Sequence, residues 1–276
     1  MSVTVAVSAA EMVVGGDTPP LPAILARALR RADDLTILAI TAAHAAWQRA
    51  PQRPVAPEAR GLFVGMVHGP IETNFRYLDS LVDDGEGQSS PTLFSHSVHN
   101  AVAGYVARLF DCQGPALTVT TFTWPFLIAL DEAWRAIATG RAARALAIAV
   151  ETSCPVLEEA SGRLAARGGE PWLPAAVAWV LDAAEEGEAL EPILTQVEVS
   201  EAPCHPQALL TRSGETRSGP LLEATDQQPA GAAIALTRAL GRVGEVAPGV
   251  LRWDLSSPGA QAALVIDTRP GQRGDR

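Results

Sequence analysis

The sequence predicts an α/β fold, because segments of strand character alternate with segments of helical spacing along most of the chain. Of its 276 residues, 47% are hydrophobic and 19% are charged, so the chain can bury a large core. Five runs of small and β-branched residues are the predicted strands: Val3–Val7, Gly61–Val67, Ala116–Thr121, Arg144–Val150 and Val177–Leu181.

Apolar residues at helical spacing lie between these strands. Leu21–Trp47 has this spacing with an interruption at Arg30–Asp34, which predicts one broken helix or two consecutive helices. Three further segments are predicted helices: Ile71–Val82, Phe94–Phe110 and Trp124–Thr139. Gly140 directly follows the last of them, as expected at a helix C-terminus.

The pattern is weaker after Asp182. A polar stretch rich in Pro, Gly and Ser covers Glu201–Pro229, and one helix is predicted at Ala230–Leu240. Two short strands are predicted beyond it, at Val250–Leu255 and Ala262–Ile266.

The charge balance argues against several classes of partner. The chain has 21 Lys and Arg against 31 Asp and Glu, a formal net charge of −10, and no basic run. Phosphates are held by Lys and Arg, so we expect binding neither to nucleic acid nor to an anionic membrane surface. Uncharged apolar runs such as Ala145–Val150 are too short to span a bilayer.

The cysteines indicate a reducing compartment. Cys112, Cys154 and Cys204 are an odd number without CxxC spacing, which argues against a disulfide framework and a Cys-rich zinc site. The N-terminal segment lacks a basic region and carries Glu11, unlike a signal peptide. We therefore expect a soluble, cytoplasmic protein.

Histidines are the remaining candidates for metal ligands. His96 and His99 are predicted to lie on one helix at a spacing of three, which suits zinc. No acidic or thiolate partner has ligand spacing nearby. We therefore expect no metal site and no cofactor.

Three consecutive blocks carry a resemblance to a known family: FSHSVHNAVAGYVARLF at Phe94–Phe110, GPALTVTTFTWPFLIALDEAWRAIATGRAARALAIAVE at Gly114–Glu151, and PWLPAAVAWVLD at Pro171–Asp182. They resemble the N-terminal half of a β-ketoacyl synthase, a thiolase-type condensing enzyme. The FSHSVHNA run is similar to the short chain length factor-like relatives of aryl polyene and type II polyketide pathways. The resemblance covers roughly Val3–Asp182.

The resemblance implies a thiolase-like layered α/β/α fold whose N-terminal half is complete and whose C-terminal half is reduced. The first part is a ketosynthase N-terminal-like domain at residues 1–182. The second is a thiolase-like remnant at residues 183–276, packed on the first. Its segments QQPAGAAIALTRAL and SSPGAQAALVID resemble the His-containing helix and the final hairpin of the family.

The resemblance also places Thr123 where the family has its nucleophilic Cys. Condensing enzymes need a thiolate at a helix N-terminus, which lowers the pKa of the thiol. A threonine hydroxyl stays protonated unless a base lies beside it, so we interpret Thr123 as the N-cap of the helix that begins near Pro125. Gln228 stands at a His position, so the resemblance implies a chain with no catalytic residues.

Two groups of side chains are implied to shape an acyl or polyketide tunnel. Phe122 and Trp124 flank the nucleophile position, where large rings act as core filling or as a tunnel wall. A segment resembling the tunnel-gating helix of the family carries Ile71, Phe75 and Leu78. These three residues are expected to set where the tunnel ends.

The implied partner is an active ketosynthase subunit, in a heterodimer. Family dimers pair the strand before the nucleophile with its equivalent in the partner, and an apolar edge strand needs such a partner. Acyl carrier proteins are acidic as a class, so we expect one to dock on the partner and to reach this chain only indirectly. The implied interface residues are Asn100, Ala116, Leu117, Thr118, Val119, Thr120 and Thr121.

Two other functions stay open. The chain could be a thiolase-fold acyltransferase or hydrolase using Thr123 or Cys154. Cys154 follows the strand Arg144–Val150 and precedes Pro155, where a helix start would acidify its thiol. A purely structural homodimer is the other possibility.

Overall fold

The computed structural model describes residues 3–15, 19–166, 172–184, 192–200, 216–218, 229–242, 249–257 and 260–269. The strands are β1 Thr4–Val14, β2 Arg60–Met66, β3 Ala116–Thr120, β4 Arg144–Glu151, β5 Ala175–Ala184, β6 Ile193–Ser200, β7 Thr216–Ser218, β8 Val250–Ser257 and β9 Ala260–Asp267. The helices are α1 Ala23–Ala28, α2 Asp34–Arg49, α3 Ile71–Asp84, α4 Pro91–His96, α5 Ala101–Phe110, α6 Pro125–Ala138, α7 Pro155–Ala165 and α8 Gly231–Gly241. No helix in the described part of the chain combines the length and apolar character needed to cross a membrane.

The described strands form one mixed sheet in the order β3-β2-β4-β5-β1-β6-β9-β8-β7. β2 pairs in parallel with β3 on one side and with β4 on the other. β5 pairs antiparallel with β4 and β1, and β6 joins the sheet beside β1. The carboxyl ends of β2, β3 and β4 therefore meet at one end of the sheet, and β3 is an edge strand.

Helices cover both faces of the N-terminal strands. On one face, α2 and α5 pack against β2, β4 and β5 through buried residues such as Ile40, Val106 and Ile148. On the other face, α6 and α8 share a core with β4 and β5 and with the inward side chains of β6, β8 and β9. The predicted layered α/β/α arrangement is confirmed, and the C-terminal half is the smaller in the described residues.

Backbone pairing of β1 with β6 and two tryptophan side chains join the C-terminal part to the N-terminal core. The Trp179 indole N–H of β5 donates to Thr237 Oγ1 of α8 at 2.8 Å, and the Trp134 indole N–H of α6 donates to the Leu194 carbonyl of β6 at 3.0 Å. A domain boundary at residue 182 stays a prediction.

The interruption at Arg30–Asp34 separates two helices, α1 and α2, which confirms the prediction of two consecutive helices over the prediction of one broken helix.

The single helix predicted over Phe94–Phe110 is instead two helices, α4 and α5, so His96 and His99 do not share a helix. At the break, the buried His96 ring contacts both helices: Nδ1 is 2.8 Å from the Thr92 carbonyl and Nε2 is 3.0 Å from the Tyr105 hydroxyl. Strands β6 and β7 were not predicted.

Candidate functional site

The candidate site lies at the carboxyl ends of β2, β3 and β4. Met66 and Thr120 are paired residues at the ends of β2 and β3, and Glu151 is the last residue of β4. In open α/β sheets, ligands bind at this end of parallel strands. The site is built from the segments that follow the strands, residues 67–70 and residues 121–124.

Residues 121–124, which we call the corner, turn the chain from β3 into α6. The Thr121 N–H donates to the Met66 carbonyl at 3.3 Å, and the Thr123 N–H donates to Thr121 Oγ1 at 3.3 Å. Trp124 then takes a left-handed backbone conformation with φ of 53°, which residues other than glycine seldom adopt. Such strain costs about 1–3 kcal/mol and persists only where the surrounding structure fixes it.

The corner is fixed because α6 begins in direct contact with β2. A Cβ added to Gly65 would lie 2.5 Å from the Pro125 carbonyl carbon and 2.9 Å from the Phe126 nitrogen. Only glycine permits this approach of helix to strand. Pro125 suits the first position of the helix, where its missing N–H needs no partner.

The prediction that Thr123 is the N-cap of α6 is wrong. The helix begins at Pro125, so the N-cap is Trp124, which makes no side-chain capping bond. Thr123 is half-buried one residue earlier, and no histidine or carboxylate in the described residues bonds to its hydroxyl. Its hydroxyl therefore has no base within these residues. Gln228, the other predicted empty catalytic position, lies outside the described residues.

The two aromatic side chains of the corner have opposite environments. Phe122 is 90% exposed, whereas Trp124 is 6% exposed and packs in the core around α6. Within the described residues, the buried Trp124 indole N–H has no hydrogen-bond partner. Phe126, one residue into α6, meets the Trp179 ring edge-on, with centroids 5.5 Å apart. Of the two predicted tunnel residues at the corner, Trp124 fills space inside the chain and Phe122 projects from it.

The predicted interface strand is β3, at the edge of the sheet. Its outer side pairs with no other strand among those described. Every residue of β3 is exposed or half-buried, and Leu117 is 41% exposed. Thr121 is half-buried, and the exposed Asn100 stands at the N-cap of α5 without a side-chain capping bond. β3 thus presents unpaired backbone groups and apolar side chains on the same edge.

Helix α3 buries only one of its residues, Thr73. Ile71 is half-buried, and the exposed fractions of Phe75 and Leu78 are 42% and 52%. The Phe94 ring of α4 lies 5.6 Å from the Tyr77 ring of α3, which brings the two helices into one apolar surface. We call it the α3–α4 surface, formed by the exposed side chains Phe75, Leu78, Val82 and Phe94.

A buried carboxylate that sequence reasoning missed lies beside the corner. Glu151 accepts hydrogen bonds from the Val67 and His68 backbone N–H groups, the second at 3.1 Å. His68 Nδ1 is 3.5 Å from Glu151 Oε2, and its ring lies 5.3 Å from the Trp172 ring. A carboxylate that directly follows the six apolar residues Ala145–Val150 is the signal that could have identified it.

Cys154 is the residue of the alternative enzymatic hypothesis. It is 3% exposed and directly precedes α7, whose Glu158 N–H donates to the Cys154 carbonyl at 2.8 Å. The position at a helix start is as predicted. No described residue forms a hydrogen bond with its sulfur, so the geometry shows no base for it.

Comparisons with known proteins agree with this architecture. The profile of the β-ketoacyl synthase N-terminal domain matches residues 15–164. No curated protein matches the sequence. Solved structures match along nearly the whole chain at low identity, so these likenesses bear on the fold.

Three of these structures illustrate the likeness. A structure described as the ishigamide ketosynthase/chain length factor is 14% identical, with a TM-score of 0.70, covering 96% of this chain and 99% of its own. A type II polyketide synthase acyl carrier protein in complex with its ketosynthase gives 15% identity and a TM-score of 0.76. The match covers 97% of this chain and 100% of that one. A ketosynthase in complex with its chain length factor from Xenorhabdus doucetiae is 16% identical, with a TM-score of 0.59. The match covers 95% of this chain and 98% of that one.

The layered sheet, the corner at the end of β3 and the helix α6 behind it define a condensing-enzyme fold. The profile match covers more than half of the chain. The chain belongs to the β-ketoacyl synthase family.

Proposed function

We propose that the chain is a non-catalytic, chain length factor-like subunit that pairs with an active β-ketoacyl synthase. In this role it shapes the acyl or polyketide tunnel of the pair in type II polyketide, including polyene, biosynthesis. The observation that carries the proposal is the β3 edge, which leads directly into a corner with Thr123 in place of the nucleophile and Phe122 exposed beside it.

The absence of catalysis is supported by chemistry at the corner. Acyl transfer in this family needs a thiolate, and the α6 N-terminus has a threonine at that position. A hydroxyl with a pKa far above neutral needs a general base within hydrogen-bond distance. Among the described residues, no histidine or carboxylate forms a hydrogen bond with the Thr123 hydroxyl. We therefore assign the acyl-accepting thiol of the complex to the partner.

The interface is supported by the β3 edge and the α3–α4 surface together. An exposed edge strand with apolar side chains is a template for pairing with another chain. The exposed Leu117, Phe122 and Phe94 side chains supply the apolar contacts that such pairing needs. We include in this interface Asn100, the N-cap of α5, and Thr121, which directly follows β3.

Charge favours a different subunit over a second copy. Asp79, Asp83 and Asp84 of α3 are exposed beside the α3–α4 surface, and none of them forms an ion pair within the described residues. A symmetric homodimer through this surface would place two sets of these carboxylates in one interface. A partner with Lys or Arg at these positions would pair with them, whereas an acidic carrier protein would be repelled.

Length control is supported by the exposure of α3. Its apolar side chains are spaced for one stripe, yet Phe75 and Leu78 are not covered by this chain. In a heterodimer they would face the partner, together with the half-buried Ile71 and the exposed Phe122. These side chains would then close the tunnel, with Trp124 as a fixed wall behind the corner.

The test reconstitutes the chain with the ketosynthase encoded in the same genome and an acyl carrier protein. We expect Thr123→Ala to leave turnover by the pair unchanged, and a Cys→Ala change at the partner's nucleophile to abolish it. Loss of turnover in Thr123→Ala, with the pair still assembled, would instead support the acyltransferase alternative. Activity of this chain alone that Cys154→Ala abolishes would favour the hydrolase alternative.

Cytoplasmic location is part of the proposal. It is supported by the free, buried thiols of Cys112 and Cys154, which suit a reducing compartment. The proposal needs neither a metal nor a cofactor, since the chemistry belongs to the partner's thiol.

A further inference from the structure

Glu151 connects the end of β4 to the segment that leads into α3. It is 4% exposed, and its two carboxylate oxygens accept the backbone N–H groups of Val67 and His68. A buried carboxylate is tolerated only where such donors compensate for lost hydration. The His68 ring, whose Nδ1 lies 3.5 Å from Glu151 Oε2, covers the same carboxylate.

The segment that Glu151 holds has little room to move. Gly69 has a φ of +60°, and a Cβ there would lie 2.6 Å from His99 Cδ2 and 2.9 Å from Met66 Sδ. The Ile71 N–H then donates to the Gly69 carbonyl at 2.9 Å as α3 begins. The position of the first turn of α3 is therefore set by residues 67–70.

The rest of α3 has few other anchors. Thr73 is its one buried residue, and Thr73 Oγ1 donates to Asp33 Oδ2 at 3.1 Å. Asp33 is itself the N-cap of α2, where its Oδ1 accepts the Thr36 N–H at 3.0 Å. Because apolar burial along α3 is slight apart from the ring contact of Tyr77 with Phe94, the two polar anchors near its N-terminus contribute strongly to where Phe75 and Leu78 lie.

We propose that Glu151 is a positioning residue for chain-length control, acting through the Val67–Pro70 segment on α3, with Thr73 as its second anchor. The proposal rests on the proposed function for its consequence, the length of the product. The anchoring itself is a property of the isolated chain and is measured there.

The first experiment measures amide hydrogen exchange in the isolated chain. Glu151→Gln replaces one accepting oxygen by an NH₂ group and so loses one of the two bonds. We expect exchange of peptides covering residues 67–78 to accelerate by about tenfold, while α6 and β5 keep their protection. Glu159→Gln, the same chemical change at an exposed position of α7, is the matched control; its ion pair is with Arg163 of the same helix, so exchange of residues 67–78 should stay unchanged.

Thr73→Val is the second variant, since it removes the hydroxyl and nearly keeps the shape. It should accelerate exchange in the same peptides while leaving the buried Glu151 carboxylate and its two hydrogen bonds in place. Unchanged exchange of residues 67–78 in both variants would overturn the anchoring. If one variant fails to fold, the other still decides the outcome.

The second experiment measures products of the reconstituted pair. We expect Glu151→Gln and Thr73→Val to broaden the chain-length distribution of the products while the pair stays assembled. Faster exchange with an unchanged distribution would overturn the role in length control. That result differs from failure of the proposed function, in which neither these variants nor Phe75 variants alter product length.

Discussion

Arg144 and Asp182 face each other across the pairing of β4 with β5 and form a buried, two-pronged ion pair. Arg144 Nε lies 2.7 Å from Asp182 Oδ1, and Nη2 lies 2.9 Å from Oδ2. The Ser8 hydroxyl of β1 donates to the same carboxylate at 2.6 Å. Strands β1, β4 and β5 are thus joined at one point, at the opposite end of β4 from Glu151.

We expect Asp182→Ala to destabilise the fold by roughly 3–5 kcal/mol, because it leaves the Arg144 guanidinium buried without its counter-charge. Asp254→Ala removes the partner of Arg252 at an exposed position and should cost less than about 1 kcal/mol. Urea unfolding of both variants compares them. Equal losses would show that Arg144 is compensated by other groups.

The chain alone should not carry an acyl group. Thr123 has no bonded base among the described residues, and Cys154 is buried. After incubation with malonyl- or acyl-carrier protein, intact-mass analysis should show only the unmodified chain. An acyl adduct mapped to Thr123 or Cys154 would establish an enzyme in its own right.

The β3 edge should fail to pair once it carries a charge. Thr118→Asp places a carboxylate in the proposed interface, and a buried unpaired charge there would weaken binding by about 100-fold, roughly 3 kcal/mol. Size-exclusion chromatography of the co-expressed pair should then show separated subunits. Thr4→Asp, at an exposed position of β1, is the control and should elute as the intact complex. An intact Thr118→Asp complex would exclude β3 as the interface.

Cys112 should be an inert thiol in the folded chain. Burial raises the pKa of Cys112 to about 11, so at pH 8 its thiolate fraction falls about 100-fold below that of an ordinary thiol. Because the folded state favours the protonated thiol, the contribution of Cys112 to folding stability is fully present below the ordinary thiol pKa. This contribution is lost as the pH rises towards 11. Iodoacetamide labelling at pH 8, read by peptide mass, should modify Cys112 only after unfolding. Labelling at equal rates before and after unfolding would contradict this burial.

Much of the fold could be predicted because its strands and helices have clear local patterns. The strand at Arg144–Val150 is apolar from Ala145 onward and buried on both faces, because it lies in the middle of the sheet between β2 and β5. The break between α4 and α5 could not be predicted, since Val98 continues the helical spacing of Val102 and Val106 across it. β6 was missed because its residues alternate weakly and pair with the distant β9.

The candidate site was only partly predictable for a similar reason. Thr123 could be located by counting from Gly114-Pro115, but its role as N-cap could not, because the left-handed turn at Trp124 depends on α6 meeting Gly65. Glu151 and Val67 are far apart in sequence and meet only through strand pairing. Long-range backbone geometry of this kind leaves no periodic signal.

The most direct test of the central claim is the length of the products made by pairs that carry Phe75 variants. If Phe75 closes the tunnel, Phe75→Ala should keep the pair assembled and shift the products to longer chains, because the space it leaves is filled by substrate. Phe75→Trp should shorten the products or stall elongation. Mass spectrometry of products from wild-type and variant pairs gives the result. An unchanged length distribution in both variants, with the complexes intact, would contradict a role for this chain in setting product length through α3.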